Sequence, residues 1–447
     1  MAVFNNPPPV EDENCLYLNV FAPKKSWNPK SPPYPVLFWM YGGGWKFGNA
    51  GQPWYDGSHF AALEDVVIVT ANYRTNVFGF PTSPAITNVT ERNVALLDQK
   101  TGLDWVQTNI AKFGGDKDKV TIFGESAGSF AVDSLITSYK PGQPRPFHAA
   151  IMESGTYAYT AVGNCVKDFY YGWEPLVGNV SCTGANDQEK FDCVQKTISK
   201  DKLRDVQEKN PSIAFAHSCD EVTFVSDPRA RLEANNVADV PVLLGTNTAD
   251  GSVYTIQYFT NTVGYLNAQF TFLDQAAKDK ILAAYPVNEF GNDEQLRMQQ
   301  MHTDWAYHCP AVWYGETSTK FKPTYRYLFN ATFANTQAAT PPGISWPAKY
   351  QGAYHSSEIP IIFSSYKEEG QETGQKDLSD KMRKAWANFA RNPTERPLEN
   401  WPKVGDGGTA GQDVMSFGTD GKGGVGPVKD VNRCDTWKEL GFREIHL

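Results

Sequence analysis

Residues 120–130 read VTIFGESAGSF, which sets Ser126 in a G-x-S-x-G frame between a strand-forming run and the helix-forming run SAGSFAVDSLIT. A sharp strand-to-helix turn would lift the hydroxyl clear of the chain. Glycines at 124 and 128 leave room where side chains would clash. The helix N-terminus that follows favours developing negative charge. The pattern predicts a serine nucleophile, and the plainer alternative is an ordinary serine turn. A serine hydroxyl is a poor nucleophile until a base takes its proton, and that base is normally a histidine oriented by a carboxylate. After a G-x-S-x-G turn the chain order is serine, acid, histidine.

Seven histidines are available: His59, His148, His217, His302, His308, His355 and His446. The last four lie far enough downstream. His446 is one residue from the C-terminus, and His302 and His308 fall in a predicted helix, where packing or surface roles are usual. His355 lies in GAYHSSEIP, a predicted loop, and loops present catalytic groups. It is the candidate base. Asp250 follows the strand-like PVLLG and is the candidate acid, with an Asp-Gly turn as the alternative reading. YGGGW (41–45) follows another strand-like run. Backbone N–H groups of Gly43 and Gly44, with that of Ala127, could form an oxyanion hole. Losing one such donor costs ~3 kcal/mol in the transition state. The glycine run lacks the Lys-Ser/Thr of a phosphate loop and the spacing of a dinucleotide fingerprint.

These groups need a scaffold. Residues 16–23, 34–42, 66–74, 120–124, 148–155, 241–247 and 324–330 read as strands, and 91–113 and 126–137 as helices. The alternation predicts an α/β fold with a mostly parallel central sheet and helices on both faces. Residues 156–240 and 255–320 read as helical excursions, and 1–447 as one domain. A late amphipathic helix is predicted over 377–393, stopped by Pro393, and 405–427 reads as a Gly-rich surface loop.

The 447 residues are 41% hydrophobic, with 12 Trp, 21 Tyr and 26 Phe, enough for a large core. Net charge is −9 without a basic block, which argues against a nucleic-acid surface. No apolar run reaches the ~18 residues of a membrane span, and the first residues lack a signal peptide's features. Three sequons (Asn88, Asn179 and Asn330) and a possible small disulfide loop, SCTGANDQEKFDC, favour a secreted glycoprotein in mature or trimmed form. No zinc spacing occurs, and no metal or organic cofactor is expected.

Together these segments resemble the type-B carboxylesterase/cholinesterase family, a branch of the α/β-hydrolases. ENCLYLNVFAP, YGGGW, VTIFGESAGS, PVLLGTN, CPA (309–311) and GAYHSSEIPIIF follow in family order, closest in flavour to secreted fungal esterases and lipases. The resemblance implies Ser126 as nucleophile, His355 as base and Gly43, Gly44 and Ala127 as oxyanion hole. It implies disulfides Cys182–Cys193 and Cys309–Cys434, an Arg74–Asp98 ion pair, and Glu125 beside the nucleophile. Tyr157, Tyr159 and Tyr254 would line the pocket.

The sequence departs from the family where its DEG motif becomes ADG, so Asp250 replaces a glutamate and its loop must approach His355 more closely. Glu358 is the rival acid, although it matches a structural position of the family. Asn14 stands where Asp or Gly is usual. The sequence also starts just before ENCLYLNVFAP, without the family's partner for Cys15 or the segment that carries a lipase lid. That predicts a free Cys15, a thinner pocket wall, and a short-chain or aromatic esterase acting on a small ester. The alternatives are a lipase on longer acylglycerols, or a cholinesterase-like binding protein that has lost its chemistry.

Overall fold

A computed structural model describes residues 9–28, 31–158, 172–210, 213–271, 273–338, 346–406, 413–429 and 433–440. The runs YPVLFWM, VIVTA, AAIME and VLLGTN are mostly apolar or small rather than alternating, with Glu153 closing the third. That pattern suits strands covered on both faces, and every residue of the four is buried. They are β2 (Tyr34–Met40), β3 (Val67–Ala71), β5 (Ala149–Glu153) and β6 (Val242–Asn247). With β1 (Leu18–Phe21), β4 (Gly115–Glu125), β7 (Thr324–Phe329), β8 (Asp413–Phe417) and β9 (Val425–Lys429) they form one sheet. Its order is β1-β3-β2-β4-β5-β6-β7-β8-β9. From β3 to β8 every pairing is parallel, and β1 and β9 close the two edges antiparallel. This is the α/β-hydrolase architecture.

The helices Val94–Asn109, Ala127–Ser138 and Gln375–Arg391 pack on the sheet. The last buries Leu378, Met382, Trp386, Phe389 and Ala390, a stripe at helical spacing. It ends before Asn392-Pro393, because the residue preceding a proline avoids helical backbone. Trp386 on that helix donates from Nε1 to Glu153 Oε1 at 2.7 Å, fastening it to the end of β5. Arg74 grips Asp98 with two side-chain bonds of 2.8 and 2.7 Å and adds its backbone N–H at 3.0 Å. The expected ion pair is therefore present, tying the exit of β3 to the helix Val94–Asn109.

One segment departs from expectation. Residues 405–427 do not form a surface loop, because they contain β8 and the start of β9. Val414, Met415 and Phe417 are buried, so five residues of strand hide among glycines. Gly418, Gly421, Gly423 and Gly424 belong to the turn that joins the two strands. There Asp420 Oδ1 accepts the N–H groups of Lys422, Gly423 and Gly424.

The two excursions are helical where described. They carry Trp173–Asn179, Asp187–Thr197, Lys200–Lys209 and Pro228–Glu233, then Thr262–Gln269, Gln275–Ala284, Glu294–Thr303 and Cys309–Ser318. Cys182–Cys193 and Cys309–Cys434 are disulfides, and Cys15 is a free thiol. Cys219 is also disulfide-bonded, while Cys165 lies outside the described residues. The Cys309–Cys434 bridge spans 125 residues and anchors the C-terminal helix Cys434–Glu439. Replacing both cysteines with serine is expected to cost about 2–4 kcal/mol by freeing the unfolded chain. Urea and thermal melts check this, and an unshifted midpoint would reject it.

Candidate active site

β4 ends at Glu125 and a helix begins at Ala127, leaving one residue for the reversal. Ser126 makes it with φ 56° and ψ −124°, backbone that an L-residue adopts only under constraint. Its N–H donates to Glu153 O at 2.9 Å, and its carbonyl accepts Phe130 N–H at 2.9 Å. The glycines make the packing possible. A Cβ on Gly128 would lie 1.9 Å from Met40 O, and one on Gly124 would lie 2.5 Å from the same oxygen. One on Gly155 would lie 2.9 Å from Ser126 O.

Asp250 follows β6 and is fully buried. Its Oδ1 lies 2.8 Å from His355 Nδ1. Its Oδ2 accepts from Ser154 Oγ at 2.9 Å and from Asn247 N–H at 2.8 Å. The approach that a short acid requires is made by backbone. Ala249 N–H donates to Ala353 O at 3.1 Å, and Ala249 pairs with Tyr354 in an isolated parallel bridge. The rival acid Glu358 is also buried, but it accepts from Asn247 Nδ2 and makes no bond to His355. On its other side His355 Nε2 makes no hydrogen bond, although Glu125 Oε1 lies 3.2 Å away. Glu125 Oε1 accepts from Ser356 Oγ at 2.6 Å.

The glycine run reaches the same place. A Cβ on Gly42 would lie 2.9 Å from Ser126 Cβ. Gly43, Gly44 and Trp45 follow with φ of 121°, 60° and 62°. Glycine adopts such backbone without the steric cost of a side chain. At Gly43 a Cβ would strike Phe47 O at 2.2 Å, whereas at Gly44 it would meet open space. Tyr157 is buried, and Trp45 Nε1 donates to its hydroxyl at 3.2 Å. Tyr254 has its hydroxyl against Ser126. Tyr159 lies outside the described residues.

Residues 2–437 match the model of the Carboxylesterase family. The chain belongs to the carboxylesterase family. Para-nitrobenzyl esterase of Bacillus subtilis is 30% identical over 410 residues, covering 88% of this chain and 77% of that protein. Human cocaine esterase is 32% identical, covering 87% and 70%. Chlorogenic acid esterase of Aspergillus niger is 29% identical, covering 87% and 68%. A solved structure of PNB esterase superposes with a TM-score of 0.75 at 25% identity, covering 98% of this chain and 87% of that one. The chain is a carboxylic ester hydrolase of this family.

The esterase buries three further carboxyl groups, Glu125, Glu153 and Glu358, around the pair. Burial alone would push the His355 imidazole down, but Glu125 and the Asp250 bond outweigh it and hold it above the ordinary 6.5. Burial raises the Glu125 carboxyl, against the opposing pull of His355 and Ser356. Burial also keeps Glu153 and Glu358 well above the ordinary carboxylate range.

Several groups here were not anticipated from sequence: Ser154, Ser356, Trp45, Asn247, and Tyr307, whose ring lies 4.7 Å from that of His355. Ser154 carried one usable signal, because it directly follows the buried run AAIME. Glu125→Gln removes a negative charge from beside His355 and keeps an acceptor for Ser356. Its expected result is a lowered His355 titration midpoint by NMR, and an unmoved midpoint would show that Glu125 does not set it.

Proposed function

We propose that this esterase works through Ser126, His355 and Asp250 in an acyl-enzyme cycle. The observation that carries the reading is the 2.8 Å contact of a buried Asp250 with His355 Nδ1, on a ring whose other nitrogen lies 3.2 Å from Glu125, the residue before a strained serine at a strand-to-helix turn. Asp250 fixes the ring so that Nε2 faces the reaction. Nε2 takes the Ser126 proton as Oγ bonds to the ester carbonyl carbon. The resulting oxyanion is held by the N–H groups of Gly43, Gly44 and Ala127. The carbon–oxygen bond to the alcohol then breaks, and His355 returns the proton to the departing oxygen. Water repeats the cycle with the same groups and releases the acid. Nε2 makes no hydrogen bond before substrate arrives, although Glu125 Oε1 is 3.2 Å away, and catalytic hydrogen bonds often tighten only when substrate binds.

The pocket side of the reading rests on aromatics. Tyr157 packs on Phe130 with ring centroids 4.7 Å apart, and Tyr254 borders His355 at 5.6 Å. Such walls favour short or aromatic esters over long acyl chains. Tyr159 is kept in the proposed lining from sequence alone. Glu125 is read as an electrostatic partner of His355.

We also read residues 1–447 as one domain, supported by the single sheet. The chain is read as secreted, supported by its disulfides. One relative is named as secreted lipase 5 of Gibberella zeae. Among the described residues no helix is long and apolar enough to cross a membrane. Asn88 and Asn179 are exposed and suit glycan attachment. Asn330 is half-buried and accepts from Thr248 Oγ1, so it is the least favoured of the three sequons.

Purified protein is expected to hydrolyse p-nitrophenyl butyrate and to be labelled on Ser126 by an organophosphate, and Ser126→Ala is expected to abolish both. Turnover that survives this change would sink the assignment. Asp250→Asn, which cannot hold the same tautomer, is expected to lower kcat by about 10³- to 10⁴-fold. A loss below tenfold would mean that another group orients His355. Rates on butyrate are expected to exceed those on palmitate esters, with or without an interface.

A further inference from the structure

Two tyrosine hydroxyls stand at the site with no part in the cycle above. Tyr254 lies in the short helix Ser252–Thr255 directly after Asp250, and Tyr307 in the turn Asp304–His308. Tyr307 donates its hydroxyl proton to Tyr254 Oη at 2.6 Å. The Tyr254 proton is therefore free to point elsewhere, and its hydroxyl lies against Ser126. Both rings also border His355, Tyr254 edge-on with centroids 5.6 Å apart and Tyr307 at 4.7 Å. His302 stacks on the Tyr254 ring at 4.7 Å and 13°, which fixes its plane.

The position of His355 says which side of the substrate this is. The leaving oxygen must come within reach of Nε2 to receive its proton. With its ring against His355 and its hydroxyl against Ser126, Tyr254 is turned toward that same oxygen. The proposed oxyanion donors, Gly43 and Gly44, come from the separate loop after β2. Burial raises both phenols above their ordinary value, so they are neutral donors at working pH.

We propose that Tyr254 is a further catalytic group, which donates a hydrogen bond to the leaving-group oxygen as the tetrahedral intermediate collapses, and that Tyr307 is the positioning residue that directs it. The carbon–oxygen bond breaks and its electron pair goes to the leaving oxygen. His355 Nε2 supplies the proton, and Tyr254 keeps its own. The alcohol leaves neutral, the acyl group stays on Ser126 Oγ, and His355 returns to its neutral form. Help of this kind matters most for an alkoxide, which carries full charge, and least for a nitrophenolate, which spreads its charge into the ring.

The inference rests on Ser126 as nucleophile. Its test compares kcat/KM of Tyr254→Phe on ethyl butyrate and on p-nitrophenyl butyrate, per active site titrated with an organophosphate. A hydrogen bond to a charged oxygen corresponds to a loss of about 10- to 100-fold on the ethyl ester, against about two- to fivefold on the nitrophenyl ester. Tyr307→Phe keeps the ring against His355 and removes only the directing bond, so it is expected to show the same bias at smaller size. Equal losses on the two esters, or none, would overturn the proposal, since a purely structural tyrosine lowers both together. Activity that survives Ser126→Ala would overturn the nucleophile and this inference together. An unbiased Tyr254→Phe in an enzyme that Ser126→Ala silences would overturn this inference alone.

Discussion

Backbone held at positive φ is the constraint on which the site depends. Ser126, Ser154 and Ser356 have φ of 56°, 49° and 76°, and Trp45 has 62°. A side chain in such backbone costs of order 1–3 kcal/mol per residue and survives only where its surroundings over-determine it. Each of the three serines makes a contact that ordinary strand or helix backbone would misdirect. Ser154 Oγ reaches Asp250, Ser356 Oγ reaches Glu125, and the Ser126 N–H reaches Glu153 O. The surroundings supply the compensation. β4 lies between β2 and β5, so the Ser126 turn is fastened to Glu153 on one side and hemmed by Met40 on the other.

The same edge of the sheet gathers four buried carboxyl groups: Glu125, Glu153, Asp250 and Glu358. Four unpartnered buried charges would be prohibitive, so their bonding must differ. Asp250 meets three partners, namely Ser154, the Asn247 N–H and His355. Glu153 has the Trp386 indole, and Glu358 has the Asn247 amide. Burial drives those two toward their neutral forms. The negative charge is thereby concentrated where a histidine can use it. The second charged neighbour, Glu125, lies on the opposite side of the ring, so His355 is bracketed by carboxylates.

Much of this was legible because the sequence patterns here answer to single physical causes. Apolar runs marked β2, β3, β5 and β6 because parallel strands are buried on both faces. G-x-S-x-G marked Ser126 because only glycine fits beside that turn. β8 was hidden because its five residues sit inside a run, 405–427, that carries nine glycines, and composition averages the two. Ser154, Ser356 and Tyr307 were hidden for another reason. Each matters through a partner at least 53 residues away, as in Tyr307–Tyr254, and spacing along the chain carries no trace of such a pairing. Tyr254 was legible only as lining. Its direction toward Ser126 depends on the bond from Tyr307, which no local pattern encodes.

The exchange of glutamate for aspartate shows how the scaffold absorbs a shortened side chain. Asp250 has one methylene fewer than the family's usual acid, yet it stands 2.8 Å from His355. The missing length is made up by the loops. Ala249 bonds to Ala353, and Ala249 pairs with Tyr354 next to His355 itself. Gly352 adopts φ 59°, and a Cβ there would come within 2.7 Å of Ala249 Cβ. A backbone link between acid loop and histidine loop is stiffer than an extra rotatable bond. It trades side-chain freedom for a fixed separation, and a general base works best when its partner is already in place. The shorter acid is thus held at its distance by a backbone link between its own loop and that of His355.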